Sequence, residues 1–172
     1  LAVFGNHEAI ALLTSALGVA QASGGGDAHT LCGLYQSLGE SNKRLGRFAQ
    51  AIEVWEKALK LGDETERAHL RRGIARTKWQ AGAELEAIAV LEAGLGDLGA
   101  ASATEAGGFL RQEYAQAKAR QGDLRGALEE CARALEVADE EKHPELAARI
   151  YIVLCSAHGY RGDLRASDQA GN

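Results

Sequence analysis

The tetrapeptide Gly-Asp-Leu-Arg occurs twice in the chain, at residues 122–125 and 162–165, with a spacing of 40 residues. Each copy stands between two stretches with the composition of helices. Glycine can adopt the left-handed backbone conformation that ends one helix, and aspartate can cap the start of the next. A repeated Gly-Asp joint therefore predicts a chain of paired helices, in which each pair relies on its neighbours to bury an apolar face.

Looser versions of this joint, at Gly46 and Gly82, precede two earlier helix-like stretches. Small residues open the second helix of each pair, and another small residue follows seven positions later in each complete helix. The first set is Ala9, Ala51, Ala87, Ala127 and Ser167, and the second set is Ala16, Ala58, Gly94 and Ala134. Seven residues are two helical turns, so both small residues lie on one face, where the preceding helix can pack closely.

The composition also favours helices. The 172 residues include a single proline, Pro144, and 21 glycines, and 5% of the residues are aromatic. Long proline-free segments punctuated by glycine are typical of helices and fit poorly with a β-sandwich and its tight turns. We therefore predict an all-α fold whose core is built from alanine, leucine and isoleucine.

Charge and cysteine content exclude several classes of protein. The net charge is −5, whereas a nucleic-acid-binding domain normally has an excess of basic residues. Three cysteines are too few and unpaired for a disulfide framework, which favours a reducing, cytoplasmic setting. The longest apolar stretch, 9–22, is too short and too interrupted to span a bilayer, and no basic segment precedes it as in a signal peptide. We expect neither a nucleic-acid nor a membrane partner.

The periodicity and the joints predict nine helices, at about 6–22, 29–45, 48–61, 64–81, 84–95, 105–121, 124–139, 144–161 and 164–170. Loops are predicted at 23–27, 96–104 and 139–143. Because the chain begins at Leu1 without methionine, we take it as a fragment of a larger chain that forms a single repeat domain, 1–172. Its divisions are a partial repeat at 1–27, repeats at about 28–63, 64–103 and 104–142, and a partial repeat at 143–172.

The stretch from Tyr35 to Asp63 resembles the tetratricopeptide repeat family. The positions that match its signature spacing are Leu38-Gly39, Gly46, Phe48, Ala51, Trp55 and Ala58. The period near 40, longer than the usual 34, looks like that of the long-helix variants found in large regulatory proteins. The resemblance implies an α-solenoid, in which antiparallel helix hairpins stack into a right-handed superhelix with a concave groove for peptides.

Some sequence patterns associated with catalysis or cofactor binding occur in the chain, but without the neighbouring elements or ligands that such sites need. The segment 94–99 matches G-x-G-x-x-G but follows a predicted helix where a dinucleotide site needs a strand, so it predicts a helix-ending loop. Cys155 and His158 have C-x-x-H spacing, but no second pair lies near them in sequence, and structural zinc needs four ligands. Neither a phosphate loop nor a nucleophile motif is present. We predict a chain that is not an enzyme and that binds no metal or other cofactor.

The resemblance also implies which side chains line the groove, because the first helix of each pair faces it in that family. Carried across, these are Gln36, Glu40 and Lys43; His69, Arg72, Arg76 and Trp79; Phe109, Gln112 and Gln116; and Arg149, Ile152, Ser156 and Tyr160. Glu40 stands where some members have an asparagine that helps to bind a C-terminal carboxylate, so that clamp is not expected.

The second of these groups, His69, Arg72, Arg76 and Trp79, lies on one helical stripe, which we call the arginine stripe. Arginine binds carboxylates bidentately and tryptophan is a frequent hot spot of interfaces, so the stripe suits an acidic peptide with an apolar anchor. The alternative interpretation is a solvated face of arginines, with Trp79 packed between repeats.

Two functional hypotheses follow from the resemblance. The first is a scaffold module that holds a protein or peptide in the concave groove. The second is a sensor or regulatory helical arm of a larger bacterial signalling ATPase, cyclase or transcription activator. A nucleotide-binding or DNA-binding domain next to this segment in the parent chain would favour the second. Both rest on fold analogy, and the sequence leaves the oligomeric state open.

Overall fold

A computed structural model describes residues 2–22 and 26–160, with the backbone alone for residues 2–4 and 160. Within these residues the chain forms eight α-helices, one short 3-10 helix and no strand. The helices are α1 Ala2–Ala22, α2 Ala28–Arg44, α3 Phe48–Leu59, α4 Glu64–Gln80, α5 Glu84–Gly96, α6 Glu105–Arg120, α7 Leu124–Leu135 and α8 Pro144–Tyr160. The all-α prediction is confirmed, and none of the described helices is long and apolar enough to cross a membrane.

The predicted helix bounds differ from the observed ones by no more than two residues at most ends and by four at the start of α1, which begins at Ala2 instead of 6. Helix α7 ends at Leu135 instead of 139, because the backbone closes in short turns, with the Val137 N–H donating to the Ala134 carbonyl. The predicted loop 96–104 contains the 3-10 helix Gly99–Ala103. The predicted ninth helix, 164–170, lies outside the described residues.

The joints between helices have the predicted conformation. Gly46, Gly82 and Gly122 have φ angles of +73°, +80° and +86°, in the region that glycine adopts without strain. The Asp123 carboxylate accepts a hydrogen bond from the Gly126 N–H at 2.9 Å and so caps α7. The Gly-Asp joint at 122–123 is therefore confirmed, while its copy at 162–163 lies outside the described residues.

Most of the predicted small residues are buried. The clearest cases are Ala51 and Ala58 on α3 and Ala127 and Ala134 on α7, none of which exposes any surface. Small side chains at this spacing let the adjoining helix approach closely. Ala16 is exposed on α1, before which the structure describes no helix that could pack against it.

The chain divides into two compact units, Leu1–Ala87 and Ile88–Asn172. In the first unit, α2 packs against both α1 and α3, and α3 packs against α4. In the second unit, α6 packs against α7 and α8, and α7 packs against α8. Consecutive helices are therefore neighbours from α1 to α4 and from α6 to α8. The repeat boundaries proposed from the sequence stay a prediction.

The core of the second unit lies where α6, α7 and α8 meet. Its buried residues are Phe109, Ala115, Cys131, Ala134, Leu146, Ile150 and Val153. Beside this core, the Glu130 carboxylate bridges two arginines, with Oε2 3.2 Å from Arg111 Nη1 and Oε1 2.7 Å from Arg133 Nη1. The ion pair with Arg111 links α7 to α6.

Candidate peptide-binding groove

Trp55 on α3 is the centre of the first unit. The residue is 3% exposed, and its indole Nε1 donates a hydrogen bond of 3.1 Å to the Gln36 carbonyl of α2. Gly39 on α2 lies against the indole so closely that a Cβ there would overlap its atoms. At the six-membered ring of the indole, a Cβ at Gly73 of α4 would lie 3.6 Å from Trp55 Cη2, an ordinary van der Waals distance. A glycine of α2 thus lies close to the five-membered ring, and a glycine of α4 lies beside the six-membered ring.

A pocket of about 260 Å³ opens above this indole, and we call it the Trp55 pocket. Its lining residues are Gln36, Glu40, Trp55, His69, Leu70 and Gly73. Gln36 and Glu40 come from α2 and His69 from α4, so the structure brings together three residues that the family resemblance places in a groove. A more open depression of about 520 Å³ shares Gln36 and Glu40 and continues along α2.

Basic side chains follow the pocket residues on α2. Lys43 Nζ lies 6.0 Å from the centroid of the Trp55 ring, within the range of a cation–π interaction. Arg44 Nε lies 3.4 Å from Glu40 Oε1, one helical turn along α2. The charge of the carboxylate at the pocket is thus offset by a neighbouring guanidinium.

The arginine stripe continues the α4 side of the pocket. His69 is exposed and lines the pocket, whereas Arg72, Arg76 and Trp79 are half-buried. Arg76 follows Gly73 by three residues and so lies one turn further along the same face. The two interpretations of the stripe, a binding surface and a solvated face, both stay predictions.

The predicted groove residues of α6 are not on an open surface. Phe109 is 6% exposed and belongs to the core of the second unit, and Gln112 is 3% exposed. Phe109 packs into the core that α6 shares with α7 and α8. That these two positions line a groove stays a prediction. Gln116 is half-buried.

The predicted residues of α8 have local partners. Arg149 is half-buried, and its Nε lies 3.0 Å from Glu145 Oε1. Ser156 is exposed and donates a hydrogen bond of 2.9 Å to the Ile152 carbonyl one turn earlier, and the Ile152 side chain is exposed. The side chain of Tyr160 lies outside the described residues. These contacts bring no second cluster of polar groups to one place.

Sequence reasoning missed three residues of the Trp55 pocket: Trp55, Leu70 and Gly73. Trp55 matches the family signature, and a buried signature residue gives no sign that a pocket lies over it. Of these three, Gly73 is the one that the sequence could have pointed out. A glycine inside a helical pattern, away from any turn, indicates that another group approaches closely or that space is left open.

The patterns that resemble cofactor sites have structural roles. Gly94 and Gly96 belong to the last turn of α5, and Gly99 begins the 3-10 helix, so the segment 94–99 follows a helix as predicted. Cys155 of the C-x-x-H pattern is half-buried. No cluster of three or more His, Cys, Asp or Glu side chains within the described residues is arranged to hold a metal ion.

Two of the three thiols should be unreactive in the native protein. Burial, together with nearby Glu66, raises the pKa of the Cys32 thiol to about 11, and burial together with Glu130 raises the pKa of Cys131 to about 12. At pH 8 the thiolate fraction is then roughly one in a thousand or less, and the thiolate is the reactive form. With Cys155→Ser as background, we expect dithionitrobenzoate to label no thiol rapidly until urea is added. Fast native labelling of Cys131 would contradict the assigned burial.

Comparison with known proteins identifies the fold and no family. No protein-family model matches the chain, and no curated protein is similar to it in sequence. The structure is similar to that of BtubC (BKLC) from P. vanneervenii, with a TM-score of 0.81 and 21% sequence identity. The match covers 96% of this chain and 70% of that chain. The two proteins share a fold, and at this identity the likeness extends to the fold alone.

Proposed function

We propose that the chain is a protein-interaction module that binds a peptide segment of a partner along α2 and α4. The observation that carries this proposal is the Trp55 pocket, which gathers Gln36, Glu40 and His69 from two helices. Ligand sites are typically concave, with an apolar lining and a few polar groups that fix orientation. A pocket of this kind can hold an apolar side chain of a peptide, and the basic residues beside it can bind the peptide's polar or charged groups.

The proposal includes the architecture that the resemblance implies, an α-solenoid of antiparallel hairpins forming a right-handed superhelix. Two observations support it. Helices adjacent in sequence pack against each other from α1 to α4 and from α6 to α8, and left-handed glycines close the joints at Gly46, Gly82 and Gly122. In helical repeats of this kind, the corresponding helices of successive pairs line up along one face of the solenoid. Extended segments of partner proteins bind to that face.

The chemistry of the proposed groove favours an acidic segment. Arg72 and Arg76 carry planar guanidinium groups that match carboxylates, and Lys43 adds a positive charge on α2. Basic residues continue the pocket on both helices, and the charge of Glu40 is offset by Arg44. Such complementarity would steer an acidic segment towards the groove and fix its register.

The test is a pull-down from a matched lysate, followed by titration of the captured partner's binding peptide. We expect the double variant Arg72→Glu/Arg76→Glu to bind at least ten-fold more weakly than the wild type, because the guanidinium groups would be replaced by like charges. A control variant, Arg47→Glu/Arg125→Glu, changes the net charge equally at two exposed positions, one directly before α3 and one in α7. Circular dichroism must show that both variants are helical.

Equal binding by the wild type and the Arg72→Glu/Arg76→Glu variant would contradict the proposal and favour the solvated-face interpretation. Weakening by both double variants would indicate a non-specific effect of net charge. The regulatory-arm hypothesis stays a prediction, which the domain content of the parent chain would test.

A further inference from the structure

We infer that the Trp55 pocket is the anchor site for a branched aliphatic side chain, carried by an acidic segment of a partner protein. The inference rests on the proposed function and specifies its ligand. Three features support it: the apolar floor formed by Trp55 and Leu70, Gly73 in the wall of the pocket, and the charged side chains beside the pocket.

The floor of the pocket is apolar and preformed. Trp55 and Leu70 are 3% and 2% exposed, so the packing of the first unit holds both in place. The indole N–H already donates to the Gln36 carbonyl, so the floor has no hydrogen-bond donor left for a ligand. A polar group seated there would lose its hydrogen bonds to water without replacement, whereas an aliphatic group would lose none.

Gly73 keeps the pocket open. It lies inside α4 and does not have the positive φ angle that would require glycine. Packing does not require glycine either, because a Cβ would meet three Trp55 atoms at 3.6–3.8 Å, which is ordinary contact. Glycine weakens a helix interior relative to alanine. At this position it leaves the wall of the pocket beside Trp55 without a side chain. The pocket has a volume of about 260 Å³, enough for one branched aliphatic side chain.

The charges beside the pocket select what flanks the anchor. Lys43 lies over the Trp55 ring, and Arg72 and Arg76 follow the pocket on α4. The Glu40 carboxylate at the pocket is paired with Arg44 at 3.4 Å. Basic side chains therefore lie beside an apolar floor, which fits acidic residues next to an aliphatic one. A lysine reaching Glu40 is the competing ligand that a test must distinguish.

Three capped tripeptides of the form Asp-X-Asp, with X as leucine, alanine or lysine, serve as probes. Binding is followed through the two tryptophan indole N–H resonances in ¹H–¹⁵N spectra, assigned by Trp79→Phe. We expect the leucine peptide to shift the Trp55 resonance saturably and to bind at least five-fold more tightly than the alanine peptide. Gly73→Leu should abolish that shift, because its side chain would fill the pocket.

A matched variant, Gly18→Leu, adds the same side chain to the interior of α1, where no atom lies within 4 Å of the added Cβ. It should bind the leucine peptide like the wild type. Should Gly73→Leu prove poorly folded, Gly73→Ala takes its place, since its Cβ fits beside Trp55. A several-fold weaker affinity of this variant for the leucine peptide would support the inference.

Three results would overturn the inference: equal affinity for the leucine and alanine peptides, tighter binding of the lysine peptide, or an unchanged shift in Gly73→Leu. The absence of any saturable shift would overturn it as well. Each of these leaves the proposed function to be judged by its own test, the Arg72→Glu/Arg76→Glu variant against the captured partner. The two failures are therefore distinguishable.

Discussion

Gly39→Ala should lower the free energy of unfolding of the first unit by about 3 kcal/mol, the upper range for forcing an extra group into a packed core. The added Cβ would overlap the Trp55 indole, which cannot move away easily. Trp55 is 3% exposed and is tied to the Gln36 carbonyl through its N–H. The overlap must then be relieved by separating α2 from α3, with loss of their packing.

Urea unfolding followed by tryptophan fluorescence measures this effect in the right part of the molecule. The chain has two tryptophans, Trp55 and Trp79, and both belong to the first unit. The matched control is Gly33→Ala on the same helix, where no atom lies within 4 Å of the added Cβ. It should raise stability by about 0.5–1 kcal/mol, the usual advantage of alanine over glycine inside a helix. An unchanged midpoint for Gly39→Ala would show that the indole is not confined as described.

The features that could be predicted from the sequence are those set by local chemistry. Gly122 and Asp123 close one helix and cap the next within four residues, so their roles depend on nothing distant. The same holds for Gly46 and Gly82, which end α2 and α4 in the left-handed conformation. Helix number and joints within the described residues were predictable for this reason.

The features that could not be predicted depend on which helix face meets which neighbour. The periodicity of α6 places Phe109 and Gln112 on one side of the helix. It does not determine whether that side faces solvent or packs against α8. In the structure both side chains are buried, and Phe109 lies in the core that α6 shares with α7 and α8. Gly73 is a similar case, because a glycine in a helical pattern is compatible with close packing, as at Gly39, and with open space. Only the position of Trp55 relative to both helices separates the two.

Glu130→Ala should lower the free energy of unfolding of the second unit by about 3 kcal/mol, the low end for breaking a buried ion pair. The Glu130 side chain is 9% exposed and accepts hydrogen bonds from Arg111 at 3.2 Å and Arg133 at 2.7 Å. Its loss would leave the guanidinium of Arg111, 20% exposed, without that carboxylate between α6 and α7. The low end applies because Arg133 is 55% exposed and water can take up its charge.

The neighbouring residue supplies the control for this variant. Glu129 forms an ion pair with Arg125 at 3.0 Å on the same helix, but both side chains are exposed. Exposed pairs of this spacing contribute about 0.5 kcal/mol or less, so Glu129→Ala should change the urea midpoint little when unfolding is followed by circular dichroism. A double variant, Arg111→Ala/Glu130→Ala, should lose less than the sum of its single variants, because the two side chains act as a pair. If the two glutamate variants shift the midpoint equally, the ion pair does not hold α7 to α6, and the apolar core of the second unit does so alone.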